Sequence, residues 1–580
     1  LEGDRVLLDF IKKYWYRYLT GILTLIVVDL LQLYIPRFIG RVVDHLRSEQ
    51  PTMGFVTVMV SWIVGIALAI AIMRFFWRYF IIGNARRFEY LARKTLFDKL
   101  LSLSPGYFDR TRSGDLMARF TNDLQAVRMA LAQGVVMTVD ATFMAIMTVL
   151  FMGRTVSWKL TWLASIPLPA LALVALFFGR IIHNRFMEVQ NQFSAVSELT
   201  EETISGIRIV KSFAADEKFW EMFRDRSWNN YRAGISLAKV SSVFFPLMIF
   251  LASLAHAFAL FFGGPMVVRS EVSLGEFIAF NSYLGMLTWP MMALGWVLNV
   301  IQSGRASYKR IMQVMKEMPQ VEEPKNPVKI DRIETISFVD LTYRYPSSQR
   351  DVLKCVSFSI KKGEMVGIVG TVGSGKSTIV KLLAKLYPVE RGKIFINDVD
   401  INDIASENIR SLIAFVPQES FLFSDQIKKN IAFAQEDIDM ERVIECAKLA
   451  AVHDEIVKFP EGYDTVVGER GVTLSGGQRQ RVTIARALYE NKDVLVFDDC
   501  LSAVDPETEE KIIDSLRSQF KQKTMIIITH RLKVLRDADL IIVLDNGVIV
   551  EKGTHEELMN LDGLYARMFK RQMIEEELEA

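Results

Sequence analysis

The sequence predicts a multidomain chain in which an all-α bundle of six membrane-spanning helices precedes an α/β domain organised on a parallel sheet. Three observations carry that prediction. The chain has 580 residues, more than a single hydrophobic core usually serves, so at least two domains are expected. It is 51% hydrophobic, with 38 Phe and 25 Met against 23% charged residues, too apolar for an ordinary soluble protein of this length. The long apolar runs stop near residue 300, beyond which charged and apolar residues alternate as in a globular domain.

A spanning helix needs about 20 mostly apolar residues. Stretches of that kind fall at roughly 18–40, 54–82, 132–153, 160–180, 240–264 and 275–300. Ahead of the first, Lys12, Lys13 and Arg17 stand among aromatics. The apolar stretch that follows is longer than a signal-peptide core and lacks a small-residue cleavage site. The start therefore reads as an amphipathic lead-in, with Trp15, Tyr16 and Tyr18 suited to the membrane interface. Segment 83–130 carries nine Lys and Arg, and 181–239 is again basic, while the connections after the first, third and fifth spans carry few basic groups. That places both long segments, and both ends of the bundle, in the cytoplasm. Each long segment is patterned as helix and is expected to reverse once, the first around Pro105, Gly106 and Gly114, the second near Asp216 to Arg224.

Asp29, Arg74, Arg78, Asp140 and His256 fall in or near the apolar runs. A charge in lipid is expensive, so each is expected to face the bundle interior or a watery path, or to snorkel to the interface. Asp29 and Asp140 are open to two readings, a substrate path or structural hydrogen bonding. Residues 1–305 make up this membrane domain, 306–330 a polar linker ending in EMPQVEEPKNP, and 331–575 the second domain. The balance of 69 Lys and Arg against 67 Asp and Glu argues against a nucleic-acid binder. Cys355, Cys446 and Cys500 have no metal or disulfide spacing.

In the second domain, Gly370, Thr371, Val372, Gly373, Ser374, Gly375, Lys376, Ser377 and Thr378 match G-x-x-x-x-G-K-[ST]. The run MVGIVG before them suits a buried parallel strand, and TIVKLLAKLY after them has helix periodicity. Such a loop turns successive N–H groups toward phosphate oxygens, and the helix adds its positive end. Lys376 would reach the β- and γ-phosphates and Ser377 would ligate Mg²⁺. The strand of DVLVFDD delivers Asp498 to hold Mg²⁺ and Asp499 to orient or deprotonate an attacking water. Gln418, ending LIAFVPQ, can bridge Mg²⁺ or water to a neighbouring element. His530 ends TMIIITH and either donates to the γ-phosphate or holds Asp499. Tyr345, in LTYRYP, is placed to stack on adenine. Leu474, Ser475, Gly476, Gly477 and Gln478 open a long periodic helix and form a second, spare anion cradle. That cradle is best explained if it covers ATP held by a partner, so that two ATP molecules lie between two such domains.

Taken together, these motifs resemble the ABC transporter superfamily, in its exporter type with fused membrane and nucleotide-binding domains. The chain looks especially like one subunit of a bacterial heterodimeric multidrug exporter. The resemblance covers essentially the whole sequence. It implies an ATPase domain with β-rich and α-helical subdomains, ATP and Mg²⁺ as cofactors, and a paired second half-transporter. It further implies residence in the cytoplasmic membrane and export of small amphipathic or hydrophobic substrates. Residues 370–378 correspond to the Walker A motif, 494–498 to Walker B, Gln418 to the Q-loop, 474–478 to the signature, 502–505 to the D-loop, His530 to the H-loop and Tyr345 to the A-loop. The reversals near 107–115 and 213–223 correspond to coupling helices. Two positions depart from the family pattern. Asp499 stands where the catalytic Glu is usual, which should slow hydrolysis, because a general base must come within about 2.6–3.2 Å of its proton or act through a water. Val466, in TVVGERG, stands where Glu is common. A homodimeric flippase for a lipid or lipid-linked substrate, a peptide exporter and an ATP-gated channel are the alternatives.

Overall fold

A computed structural model describes residues 5–346, 348–468, 474–519 and 522–579. The chain divides into two units: residues 1–102 with 112–317, and residues 103–111 with 318–580. The second unit thus includes a short piece of the chain that lies, in sequence, between two spanning helices.

The membrane unit is built from long helices. Among the described residues, five of them, α1 (Leu7–Leu46), α2 (Met53–Ser102), α3 (Ser113–Thr155), α4 (Trp158–Ser205) and α5 (Asp216–Val268), are long and apolar enough to cross a bilayer. The sixth expected span falls in α6 (Leu274–Lys316), where some side chains lie outside the described residues. Leu33, Met144, Met152, Leu160, Phe280, Tyr283, Leu284 and Leu287 form the interior together with the small residues Ala164, Ala255 and Ala259. Small side chains let helix backbones approach closely, which is how helices associate without a hydrophobic driving force. The closest approach is at Gly40 and Gly275: a Cβ on Gly275 would come within 2.0 Å of the Gly40 carbonyl oxygen. Asp44 then accepts from the Gly275 N–H at 2.7 Å and from the Ser273 hydroxyl at 2.6 Å, tying α1 to the start of α6.

The second reversal differs from its expected position. The chain turns at Gly206 to Ala215 around the short helix Ile207–Ser212, and Asp216 begins α5. EKFWEMFRD is therefore helical. Ala214, at φ 49°, ends the short helix, and Asp216 and Glu217 supply negative charge to the first turn of the next one.

The second unit holds two sheets. β1 (Thr335–Tyr343), β2 (Leu353–Lys361), β4 (Ile394–Ile396) and β5 (Val399–Asp400) make an antiparallel sheet in the order β2-β1-β4-β5. β3 (Met365–Gly370), β6 (Ile413–Val416), β7 (Val494–Asp498), β8 (Thr524–Ile528) and β9 (Leu540–Asp545) run parallel, and β10 (Val548–Gly553) joins one edge antiparallel, in the order β10-β9-β3-β8-β7-β6. The central strands are apolar except at their ends, because both faces are covered. Met365, Val369, Leu495, Phe497, Met525 and Ile527 enter one core. Their alternating neighbours Val366, Ile368, Val494, Val496, Ile526 and Ile528 enter the other. The first core contains the helical layer, including α8 (Gly476–Tyr489) and α9 (Pro506–Gln519). The second contains α7 (Lys376–Leu383).

Candidate nucleotide site

The C-terminal ends of β3, β6, β7 and β8 gather one set of polar groups. The loop leaving β3 depends on glycine at two points. Gly370 has φ +148°, and a Cβ there would lie 1.9 Å from the Leu544 carbonyl oxygen; Gly375 has φ +97° and would meet Leu353 at 2.7 Å. Gly375 is the N-cap of α7, whose first residues are Lys376, Ser377 and Thr378. Lys376 Nζ donates to the carbonyl oxygens of Gly370 at 3.0 Å and Thr371 at 2.8 Å, so the ammonium curls back over its own loop. Burial pulls that ammonium below the usual lysine range, with Asp499 and Asp498 opposing. Thr371 donates from Oγ1 to Asp545 at 2.8 Å, while Val372 is fully open to solvent and Ser374 is buried.

Asp498 ends β7, buried, and accepts from Ser377 Oγ at 2.6 Å. Burial pushes its carboxyl above the usual range, and the Ser377 bond opposes this. A hydroxyl and a carboxylate so placed are the hard oxygen donors that Mg²⁺ takes alongside phosphate and water. Asp499 follows at φ 47°, a left-handed conformation, its N–H bonded to the Ile528 carbonyl at 2.8 Å. Gln418 Nε2 donates to Asp499 Oδ2 at 3.1 Å, and His530 Nε2 stands 3.9 Å from the same oxygen. Tyr345 donates from its hydroxyl to Thr378 Oγ1 at 3.2 Å.

Leu474 is buried, and Ser475 caps α8 through a capping box: its Oγ accepts from Gln478 N–H at 3.2 Å, and its N–H donates to Gln478 Oε1 at 2.9 Å. Gly476 and Gly477 form the first turn, and a Cβ on Gly477 would come within 2.8 Å of the Ala503 carbonyl oxygen. The spare cradle is therefore packed directly against the loop that follows Asp499.

Residues 18–291 match the family "ABC transporter transmembrane region" and residues 353–502 the family "ABC transporter". The chain is 38% identical to the Bacillus subtilis "Probable multidrug resistance ABC transporter ATP-binding/permease protein YheI", over 97% of each protein. It is 35% identical to the Escherichia coli "Multidrug resistance-like ATP-binding protein MdlA", over 98% of this chain and 96% of that one. This chain is an ABC exporter. It is 31% identical to an "ATP-dependent lipid A-core flippase" of Chromohalobacter salexigens, over 99% of this chain and 98% of that protein. A structure titled "Structure of a bacterial Atm1-family ABC exporter with ATP bound" superposes with a TM-score of 0.81 at 25% identity, covering 96% of this exporter and 99% of that chain. The exporter is a multi-pass protein of the cytoplasmic membrane with a cytoplasmic ATPase domain, and it hydrolyses ATP to drive export.

Three site residues escape the motifs. Gln480 accepts from Ala503 N–H at 2.9 Å and donates to Ser502 Oγ at 3.3 Å, while Ser502 Oγ donates to the Asp499 carbonyl at 3.2 Å. From the other side, Arg531 donates to the Val504 carbonyl at 2.7 Å and pairs with buried Glu509. The loop 502–505 is thus gripped between α8 and the residue after His530. A signal for Gln480 was present in the sequence: it occupies the apolar-face position that Ile484, Ala487 and Leu488 continue.

Proposed function

We propose that this exporter works as one half of a pair with a distinct second subunit, moves small amphipathic or hydrophobic molecules outward, and hydrolyses ATP slowly at the site built on its own Walker loop. The observation that carries this reading is Asp499. Its carboxylate is one methylene shorter than the usual Glu, and it is already held by Gln418 with His530 close by. An attacking water must come within reach of that shorter arm, and the reach of a general base is about 2.6–3.2 Å.

In this reading Tyr345 stacks on adenine, and residues 370–378 wrap the phosphates. Lys376 leaves its two carbonyl partners for the β- and γ-phosphates. Ser377, Asp498 and Gln418 hold Mg²⁺, which neutralises phosphate charge when bound. His530 keeps Asp499 or the γ-phosphate in place. Residues 474–478 serve the partner's ATP, where Ser475 offers a helix N-terminus to phosphate. An intact signature lent to the partner and a weakened acid kept at home fit an asymmetric pair. Similarity to a lipid A-core flippase supports a lipid-linked substrate as the second reading.

The test is Asp499→Glu in the assembly purified from its native membrane, with the partner's own catalytic site disabled. Residual hydrolysis should rise by about tenfold or more, on the scale of a well-placed general base. An unchanged rate refutes the role of Asp499. A fully active homodimer of the chain alone refutes the distinct partner.

A further inference from the structure

Residues 103–111 lie between two spanning helices in sequence, yet they belong to the ATPase unit. Their attachment there is specific. Ser104 Oγ accepts from the Val321 N–H at 3.1 Å. Pro105–Phe108 makes a single helical turn. Gly106 presses so closely that a Cβ would sit 2.5 Å from Gln320 Oε1 and 3.5 Å from the Tyr387 ring. Tyr387 then donates its hydroxyl to Asp109 Oδ2 at 2.6 Å.

Tyr387 has a second set of neighbours. Its ring meets that of Tyr345 edge to face, with centroids 5.1 Å apart and planes at 90°. Tyr345 packs in the same way on Tyr343, at 5.1 Å and 86°, and its hydroxyl reaches Thr378 at the end of the phosphate loop. Burial, reinforced by the bond to Asp109, raises the Tyr387 hydroxyl above the usual tyrosine range, so it remains a donor at physiological pH. A phenol donating to a carboxylate is a charge-assisted bond, among the stronger single contacts a side chain makes.

We propose that Tyr387 is a positioning residue that ties the adenine-stacking face of Tyr345 to Asp109, so that occupancy of the nucleotide's base, separately from its phosphates, is transmitted to residues 103–111. Adenine stacked on Tyr345 fixes that ring, the edge-to-face contact fixes Tyr387, and the hydroxyl fixes Asp109. Residues 102 and 112 continue directly into α2 and α3, so a segment held or released here is covalently joined to both helices. Coupling of this kind is reciprocal: whatever holds Asp109 also favours adenine on Tyr345. The inference rests on the reading that Tyr345 takes the adenine.

The test is hydrogen–deuterium exchange on the full assembly in lipid nanodiscs, following peptides that cover 103–111 and 370–378. Mg²⁺ with ATP is compared with Mg²⁺ with inorganic tripolyphosphate, which fills the phosphate loop without a base. In the wild type, ATP should slow exchange in both peptides, and tripolyphosphate should slow it in 370–378 alone. Tyr387→Phe keeps the ring contact and removes only the hydroxyl. With ATP bound it should restore exchange in 103–111 by about tenfold, the scale of one hydrogen bond to a charged group, and leave 370–378 protected. Asp109→Asn with Tyr387→Phe should add nothing to Tyr387→Phe alone, since both break one link. Protection of 103–111 that survives in Tyr387→Phe, or that tripolyphosphate reproduces in full, overturns the proposal. Failure of ATP to protect 370–378 in the wild type instead overturns the underlying assignment of the nucleotide site.

Discussion

Leu516, on α9 of the ATPase unit, exposes 0% of its surface, whereas Leu68, on α2 of the membrane unit, exposes 64%. The same side chain is used in opposite senses. Around the parallel sheet, apolar residues point inward into two layers, and polar groups gather at the strand ends where chemistry is wanted. In the membrane unit, large apolar side chains such as Leu68, Phe75, Phe177 and Phe261 point outward, as a surface in contact with lipid requires. The polar residue is there the interior one: Asp29 exposes 1% and has Asp140 and Arg74 as its charged neighbours. Burial thus means different things in the two halves. Between the spanning helices, removal of an apolar group from water is not what holds the fold together, as it is in the ATPase unit.

Truncation of the two leucines should have very unequal consequences. Leu516→Ala leaves a cavity in a close-packed core and should cost about 2–5 kcal/mol, read as a large fall in the unfolding midpoint of the ATPase domain. Leu68→Ala should change stability by less than about 0.5 kcal/mol, because lipid refills the space and supplies equivalent contacts. Comparable losses at the two positions would mean that Leu68 is packed against protein in the assembly.

A second comparison concerns charges inside each unit. Glu509 is buried like Asp29 and pairs with Arg531, and burial pushes its carboxyl up to about 7, with Arg531 opposing and Asp499 adding to the rise. Its ordinary value is 4.5, so the folded state holds the proton more tightly than the unfolded chain does. The contribution of this group to stability is therefore complete below about 4.5 and is lost as pH rises through about 7. Glu509→Gln carries no such titration. Between pH 5 and 7.5 the wild-type unfolding midpoint should fall further than that of the variant, and parallel curves would show that Glu509 does not titrate there.

The same contrast explains how much was legible beforehand. The strand-end positions of residues 370–378, Asp498, Asp499 and His530 are legible because each sits at a fixed place relative to a strand, and strands buried on both faces announce themselves as apolar runs. The helices that cross the membrane were readable for the corresponding reason, since length and hydropathy are all a bilayer asks. Tyr387, Asp109 and Arg531 were not, because their partners lie far away in sequence and no period links them. The second reversal is hard to place because its break at Gly206 to Ala215 carries no proline, while Trp220 and Phe223 keep helix spacing and leave EKFWEMFRD inside α5.

The smallest effect is expected where the membrane unit uses a single polar contact between helices. Tyr283 is fully buried, its ring edge-on to Phe151, and its hydroxyl donates to the Leu33 carbonyl at 2.8 Å, linking α6 to α1. In water-soluble cores such a bond is opposed by lost hydration; between membrane helices the unassembled state also finds partners, and measured values average about 0.6 kcal/mol with a maximum near about 1.7. Tyr283→Phe keeps the ring and removes only the hydroxyl. The unfolding midpoint in nanodiscs should therefore drop slightly, by an amount matching about 0.6 kcal/mol. A loss well beyond about 1.7 kcal/mol would mean that this hydroxyl does more than bridge two helices, and that the membrane interior depends on buried polar contacts as strongly as the ATPase core depends on Leu516.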